Sequence, residues 1–253
     1  QLLCKGSIVK IFKFIEQSFL CEELGISNLT TENLYHALDY LNDLNFDRIE
    51  KSICDHWEQI APKDNSTFVL DVTDTYYSGK HDSTKRRRGK DGKVSKLIQI
   101  GLVVSFENGF PITHKTYDGN ISNIKIFSDL LLNMAKRGLK SIILDRGFYS
   151  EENVTDLQHL NMGVIVGVKQ SIGIKAKYLS KIDRDKIYTS ENQIRLKETV
   201  VYAQVFDNFL HGKLIVLYNP KYEVLKRDKL LGAQATPNEV KYVGFSLIYH
   251  NTK

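Results

Sequence analysis

Two strand-like runs of apolar residues, each carrying one aspartate, constrain the fold of this chain most strongly. The first run, residues 68–77, is rich in valine, threonine and tyrosine, and Asp71 lies inside it. The second run ends at Asp145, after which Gly147 and Ser150 predict a turn and the N-cap of a helix. Because α/β folds place their sites at the carboxyl ends of strands, the two carboxylates are expected to meet there.

A metal site follows from this pair of carboxylates. A carboxylate inside an apolar strand is costly unless it is paired or binds a metal ion. Two carboxylates that meet repel each other, and a divalent cation removes that repulsion. The pattern therefore predicts a Mg²⁺ or Mn²⁺ site built from Asp71 and Asp145, with a solvated aspartate at a strand end as the alternative for Asp145.

The remaining periodicity predicts an α/β chain that begins with helices. Residues 1–62 repeat apolar side chains at helical spacing, and Thr31 is expected to cap one of the helices. These apolar stripes predict ordinary packing faces, with a helical DNA-binding module as the alternative. Over residues 67–169 the predicted order is β-β-β-α-β-α-β. Hairpin connections predict antiparallel pairing of the first three strands, and helical connections predict parallel pairing of the later ones.

Residues 170–253 are predicted to be rich in strands. The strand-like runs cover residues 199–206, 213–218 and 243–249, and residues 221–231 favour a short helix. No separate active-site pattern occurs in this part, and the seven histidines of the chain form no HxxxH or HExxH motif. The predicted division is therefore a helical region at 1–62, a core at 67–169 and a strand-rich region at 170–253.

The positive charge of the chain is concentrated in one segment. Residues 80–96 contain eight Lys or Arg and two Asp, a net charge of +6, whereas the whole chain has +5. Phosphate neutralisation supplies most non-specific affinity for DNA, so a basic segment near Asp71 predicts a phosphodiester partner. The alternative is a solvated, disordered loop. The predicted DNA-binding residues are Lys85, Arg86, Arg87, Arg88, Lys90, Lys93, Lys96 and Arg146, the last with a structural salt bridge as its alternative.

Cysteine content and hydropathy exclude several classes of protein. The three cysteines are widely spaced, which supports neither a disulfide framework nor a zinc site and indicates a reducing compartment. No stretch is typical of a signal peptide or a membrane span. The chain begins at Gln1 and ends at Lys253 directly after a strand-like run, which indicates a fragment.

Five short motifs, in this order, resemble the catalytic domain of DDE-type insertion-sequence transposases. They are Asp71-Val-Thr, Gln99-Ile-Gly-Leu-Val, Gly109-Phe-Pro-Ile, Gly119-Asn120 and Asp145-Arg-Gly-Phe. The resemblance covers roughly residues 31–253 and implies a ribonuclease-H-like mixed sheet flanked by helices. It also implies that Asp71 and Asp145 are the first two acids of a metal-binding triad, and that a strand-rich insertion follows the second.

The third acid of that triad has no clear counterpart in this sequence. In the family it is a glutamate on a helix beyond the insertion, and the chain ends before such a helix. Four glutamates fit the family pattern poorly: Glu191, Glu198, Glu223 and Glu239. These 253 residues alone are therefore expected to cut DNA slowly or not at all.

The resemblance implies a function and its partners. The reaction is two-metal-ion phosphoryl transfer with Mg²⁺ or Mn²⁺, in which the ends of an insertion sequence are cleaved and joined to a target. The implied partner is double-stranded DNA, on which the protein assembles as a homodimer, and the implied location is the cytoplasm, in association with the nucleoid. Two alternatives stay open: a metal-dependent nuclease of the same fold, and a non-catalytic DNA-binding remnant.

Overall fold

The computed structural model describes residues 6–43, 46–60, 67–76, 86–89, 92–136, 139–232 and 240–252. The chain forms two compact units, Gln1–Lys63 and Asp64–Lys253. Within the described residues, no helix combines the length and the hydropathy that crossing a bilayer requires. Lys85 and Lys90, two of the predicted DNA-binding residues, lie outside the described residues.

The N-terminal unit is helical, as the spacing of its apolar residues predicts. Its helices are α1 Ile8–Glu16, α2 Leu20–Glu23, α3 Thr31–Asp43 and α4 Phe46–Ile60. Thr30, not the predicted Thr31, caps α3. The Thr30 hydroxyl accepts a hydrogen bond from the Asn33 N–H at 3.1 Å, and the Asn33 side-chain oxygen accepts one from the Thr30 N–H at 2.8 Å. This reciprocal pair satisfies N–H groups that the first turn of a helix leaves without partners.

The C-terminal unit combines strands and helices. Its elements are β1 Thr67–Tyr76, β2 Arg86–Arg88, β3 Val94–Ser105, β4 Pro111–Asp118, α5 Asn123–Lys136, β5 Ser141–Leu144, α6 Glu151–His159, β6 Gly163–Val168, α7 Ile172–Lys177, α8 Arg184–Ile187, β7 Gln193–Leu196, β8 Thr199–Phe209, β9 Gly212–Tyr218, α9 Pro220–Gly232 and β10 Phe245–His250. Up to β6 this is the predicted β-β-β-α-β-α-β order, with the short strand β2 added inside the basic segment.

The strands form one mixed sheet. Their order is β2-β3-β1-β5-β6-β10-β9-β8-β7, and β4 also pairs with β3. Strands β1, β3 and β4 pair antiparallel, whereas β1, β5 and β6 pair parallel, as the two kinds of connection predict. The fold is thus a ribonuclease-H-like mixed sheet flanked by helices.

The strands of residues 170–253 continue this sheet. Strand β10 pairs antiparallel with β6, and β9, β8 and β7 follow in antiparallel pairs. The C-terminal ends of β1, β5 and β6 lie at one edge of the sheet, here named the carboxyl edge. Because β10 runs against β6, it begins at that same edge. The predicted domain bounds at 67–169 and 170–253 stay predictions.

The core lies against one face of the sheet. Three strand residues that point to this face, Leu70, Ile142 and Val166, are at most 1 % exposed. They belong to one apolar cluster with side chains of α5 and α6, which include Phe127 and Leu157 at 0 % exposure. Burial of each such side chain contributes about 1.5–3 kcal/mol to folding, so the cluster holds β1 and β5 in a fixed register.

Candidate active site

The two predicted aspartates lie at equivalent positions of neighbouring parallel strands. In the register of β1 and β5, Leu70 pairs with Leu144. Asp71 and Asp145 are the next residues along each strand, so they lie level with each other at the carboxyl edge. Neighbouring strands are about 4.8 Å apart, which brings the two backbones close enough for their carboxylates to share a ligand.

Both carboxylates lie on the sheet face opposite the core. In β1, Leu70 and Val72 are buried, and Asp71 between them is exposed. Leu144 is buried, and Asp145 continues in an extended conformation with φ −69° and ψ 159°, so its exposed side chain points to the same face as Asp71. The premise that Asp71 is buried by its apolar neighbours is wrong, because successive strand residues point to opposite faces.

The turn after Asp145 is anchored in the core. Residues Arg146–Phe148 form a 3₁₀ turn, and Ser150 caps α6 as predicted, accepting a hydrogen bond from the Asn153 N–H at 3.0 Å. The Asn153 amide donates to the Phe148 carbonyl at 2.8 Å. Phe148 and Tyr149 are buried, and burial is the main cause that raises the pKa of Tyr149 to about 12. The Tyr149 hydroxyl is therefore neutral at physiological pH, and its ring acts as an apolar anchor.

Gly167 of β6 allows the turn to pass close to the sheet, a role that the sequence pattern did not reveal. A Cβ at position 167 would lie 3.1 Å from Arg146 Cβ, 3.2 Å from its N and 3.3 Å from its Cα. These distances are shorter than ordinary van der Waals contact, and two of the three atoms are backbone. The absence of a side chain at Gly167 thus allows Arg146, the residue after Asp145, to pack closely against β6.

Asn123, the first residue of α5, lies beside Asp145 and was also missed from the sequence. The Asn123 side-chain nitrogen lies 2.8 Å, and an Asp145 carboxylate oxygen 3.8 Å, from the point where a Cβ of Gly147 would be. The Asn123 amide is half-buried. The Asn123 amide therefore lies against the turn that follows Asp145, where a side-chain amide can offer an oxygen to a cation. No local signal marks Asn123, because an asparagine at the start of a helix is ordinary.

The basic segment projects from the carboxyl edge. The described part of it (residues 86–89 and 92–96), here named the basic hairpin, consists of β2 paired with the start of β3. Leu97 pairs with Tyr76, so residues 94–96 extend beyond the end of β1. Lys96 is six residues along β3 from the partner of Asp71, which is about 20 Å at 3.3 Å per residue.

The described cations of this hairpin are mostly exposed to solvent. Arg86 and Arg88 are exposed, Lys93 is exposed and Lys96 is half-buried. Arg87 belongs to β2 between the two exposed arginines. Pairing of β2 with β3 through residues 86–88 and 94–96 shows that this part is a strand pair and not an irregular loop.

Arg146 is exposed beside Asp145. Among the residues that the structure describes, no carboxylate forms an ion pair with its guanidinium, so the alternative of a structural salt bridge finds no support there. Arg146 thus presents an exposed cation directly after Asp145 in the chain.

No third acid joins the two aspartates within the described part of the chain, where no group of three or more His, Cys, Asp or Glu could hold a metal ion. Glu191 and Glu198 flank β7, the last strand in the sheet order. Glu223, in α9, is 6 % exposed and forms an ion pair with Arg227, whose guanidinium lies 3.2 Å from the Glu223 carboxylate. Glu239 lies outside the described residues.

Fold and site together define a ribonuclease-H-like protein with two acids level with each other on adjacent parallel strands and a basic hairpin that extends beyond the end of β1. The sequence agrees with this class. The chain belongs to the family described as Transposase DDE domain, whose sequence model matches residues 62–226. It is therefore a transposase domain, a class of protein that acts in DNA transposition and recombination.

Two solved structures are similar to parts of the chain. A piggyBac transposase in a synaptic complex with hairpin DNA matches with a TM-score of 0.43 and 13 % identity, over 73 % of this chain and 33 % of that one. The chain thus spans about a third of the length of that transposase. A chain of the simian T-cell lymphotropic virus intasome, in complex with the PP2A regulatory subunit B56 gamma, matches with a TM-score of 0.31 and 15 % identity, over 83 % and 92 % of the two chains. No curated protein matches the chain.

Proposed function

We propose that the protein cleaves the DNA ends of an insertion sequence and joins them to target DNA by two-metal-ion phosphoryl transfer. The observation that supports this most directly is the level placement of Asp71 and Asp145 on adjacent parallel strands. Family membership supports the proposed reaction class, and the exposed carboxylate pair supports the proposed place of the reaction in the fold.

The donor set fits Mg²⁺ or Mn²⁺. Carboxylate oxygens are the ligands that these ions prefer, and both aspartates are open to solvent, so a hydrated cation can reach them. When bound, such ions activate the attacking water or 3′-hydroxyl and stabilise the leaving oxygen. Asp71 and Asp145 would hold the ions, and the Asn123 amide lies against the turn that follows Asp145.

The neighbouring cations would bind the DNA. The exposed Arg146 guanidinium would contact a phosphate beside the acids, because a planar guanidinium pairs well with phosphate oxygens. The basic hairpin would contact phosphates further along the duplex, which strengthens binding without reading sequence. We further propose that the chain acts as a homodimer assembled on DNA, in the cytoplasm and in association with the nucleoid.

An assay of strand joining tests this proposal. A labelled duplex that carries the end of the encoding element is incubated with the protein, a target plasmid and Mg²⁺ or Mn²⁺. Metal-dependent cleavage followed by joining to the plasmid is the expected result, at a low rate because no third acid joins Asp71 and Asp145 within the described residues. Cleavage without joining would favour the nuclease alternative, and DNA binding without either reaction would favour the non-catalytic remnant.

Binding of duplex DNA should depend on the basic hairpin. Replacing Lys85, Arg86, Arg87 and Arg88 together with alanine is expected to weaken binding to all duplexes similarly. The slope of log affinity against log salt should fall by up to about 0.9 for each phosphate that the variant no longer neutralises. Fluorescence anisotropy measured across a series of salt concentrations gives both quantities.

The matched control for this variant is Lys140→Ala with Lys213→Ala, two exposed lysines at the opposite edge of the sheet. This control should leave affinity and slope unchanged. Equal affinity and slope for the hairpin variant and the unmodified protein would mean that the segment is only solvated.

A further inference from the structure

A second concentration of positive charge follows β6. Residues 169–181 contain four lysines and no aspartate or glutamate. In the sheet order β2-β3-β1-β5-β6, this segment and the basic hairpin lie on opposite sides of β1 and β5. Lys169 is the first residue after β6. The segment therefore places positive charge beside the strand that ends at Asp145.

Lys169 lies on the sheet face that carries the two aspartates. Along β6 every second residue, through Val168, is buried in the core, and the residues between them point to the opposite face. Lys169 continues this alternation, since it is exposed between the buried Val168 and the half-buried Gln170. Its side chain thus points away from the core, as those of Asp71 and Asp145 do.

The register of the sheet brings Lys169 close to Asp145. Leu144 pairs with Val166, so Asp145 lies level with Gly167, and Lys169 is two residues further along the chain. With about 4.8 Å between strands and about 3.3 Å per residue, the Cα atoms of Asp145 and Lys169 are about 8 Å apart. The four-carbon stem of lysine can span most of this separation, so the ammonium can reach a phosphate bound at Asp145.

Arg146 begins from the same part of this face. Its Cβ lies 3.1 Å from the point where a Cβ of Gly167 would be. Gly167 precedes Lys169 by two residues, and side chains two residues apart on one face of a strand are about 6.6 Å apart. The Cβ atoms of Arg146 and Lys169 are therefore at most about 10 Å apart. Both side chains are long enough to meet at one anion between them.

The backbone around Lys169 is held by hydrogen bonds, whereas its ammonium has no acidic partner in the described part of the chain. The Lys169 carbonyl accepts a hydrogen bond from the Ser171 N–H at 2.9 Å. The Gln170 side-chain amide donates to the Phe245 carbonyl at 2.7 Å. A phosphate that binds the Lys169 ammonium thus displaces no described carboxylate, and mainly the freedom of one side chain is lost.

From this placement we infer that Lys169, together with Arg146, binds the phosphodiester that reacts at Asp71 and Asp145. The inference rests on the proposed function and adds a residue to the same site. In the reaction the attacking oxygen forms a bond to phosphorus while the bond to the leaving oxygen breaks. The leaving oxygen keeps the electron pair and takes a proton from solvent, and the proton of the attacking group passes to solvent. Lys169 keeps its own protons and donates charge-assisted hydrogen bonds to a non-bridging oxygen, over which the transition state spreads negative charge.

The first test is binding of a labelled DNA duplex, followed by fluorescence anisotropy. Ca²⁺ is present, because a cation held by the acids removes their repulsion of the phosphate. Lys169→Gln should lower affinity on the order of 10-fold at about 0.1 M salt, the effect of one lost phosphate contact. Lys169→Arg keeps the charge and should retain affinity. The matched control is Lys140→Gln, an exposed lysine before β5 at the opposite edge, which should bind as the unmodified protein does.

A second measurement determines whether Lys169 and Asp145 act on the same phosphate. Residues that share a partner have coupled effects, whereas the effects of distant, independent residues add. Asp145→Asn removes a ligand of the cation that holds the phosphate. In that background the loss of affinity caused by Lys169→Gln should be smaller by at least about threefold. Arg88→Gln, in the basic hairpin, should weaken binding equally in both backgrounds.

The outcomes separate this inference from the proposed function. Full affinity of Lys169→Gln, while the hairpin variant binds weakly, would overturn the inference and leave the proposed function standing. The inference is also wrong if Lys169→Gln weakens binding equally in both backgrounds, since the lysine would then contact a phosphate away from the acids. An equal loss for Lys140→Gln would show a general charge effect and would overturn it as well. If the unmodified protein does not bind duplex DNA, both proposals are wrong. Unchanged thermal unfolding of each variant verifies that the fold is retained.

Discussion

Asp71→Asn and Asp145→Asn are each expected to lower Mn²⁺ affinity by at least about 100-fold, because loss of even an outer-shell partner of a metal site costs about 10–100-fold. In both variants, any Mg²⁺-dependent cleavage of a labelled duplex should be lost together with metal binding. Asparagine keeps the shape of aspartate and removes its charge, and both side chains are exposed, so the free energy of unfolding should change by no more than about 0.5 kcal/mol. Electron paramagnetic resonance of free Mn²⁺ measures binding, and chemical denaturation measures stability.

Asp74→Asn is the matched control, since it makes the same change three residues along the same strand. By the alternation of β1, position 74 points to the sheet face opposite that of Asp71. Mn²⁺ affinity and cleavage should therefore be retained. A loss of Mn²⁺ affinity as large as that of Asp71→Asn would mean that β1 binds metal through general negative charge and not through a defined pair.

Gly167→Val is expected to reduce metal-dependent cleavage on the order of 100-fold, because a displacement of about 1 Å at a reacting group can cost that much. Its Cβ would already lie 3.1–3.3 Å from Arg146 atoms, and the two further methyl groups of valine would push the turn away from the sheet. Asp145 precedes Arg146 directly, so its carboxylate would lose its level position beside Asp71. The measurement is the rate of cleavage, together with Mn²⁺ affinity.

The control for this substitution is Gly173→Val in α7, where an added Cβ meets no atom within 4 Å. It should leave cleavage and Mn²⁺ affinity unchanged. The conclusion that Gly167 positions the aspartate turn would be wrong if Gly167→Val cleaved as fast as the control, or if both variants lost activity equally.

Local patterns predicted most of the secondary structure, because periodicity and turn residues act over a few neighbours. The helices of the N-terminal unit, the β-β-β-α-β-α-β order and the cap at Ser150 all follow from such signals. The cap of α3 was misplaced by one residue. Thr30 and Thr31 are equally good hydroxyl donors and acceptors, and only the spacing from Thr30 to Asn33 decides which one closes the reciprocal pair.

The candidate site was predicted in part, and partly for a wrong reason. Asp71 was selected as a carboxylate buried among apolar neighbours, yet it is exposed. One face of β1 is buried, and the face that carries Asp71 is partly covered. Both faces therefore carry apolar residues around Asp71, and the sequence does not show that Asp71 itself is exposed. Asn123 and Gly167 were not found, since neither belongs to a local pattern that differs from an ordinary helix start or an ordinary strand.

Short-range sequence signals were enough to specify the elements and their order, one aspartate inside a strand and one at a strand end, and the concentration of positive charge near the first of them. Those properties depend on side-chain type and on spacing within a short stretch. The level placement of Asp71 and Asp145 arises only in the folded chain, because the register of β1 with β5 results from packing of Leu70 and Leu144 into a shared core.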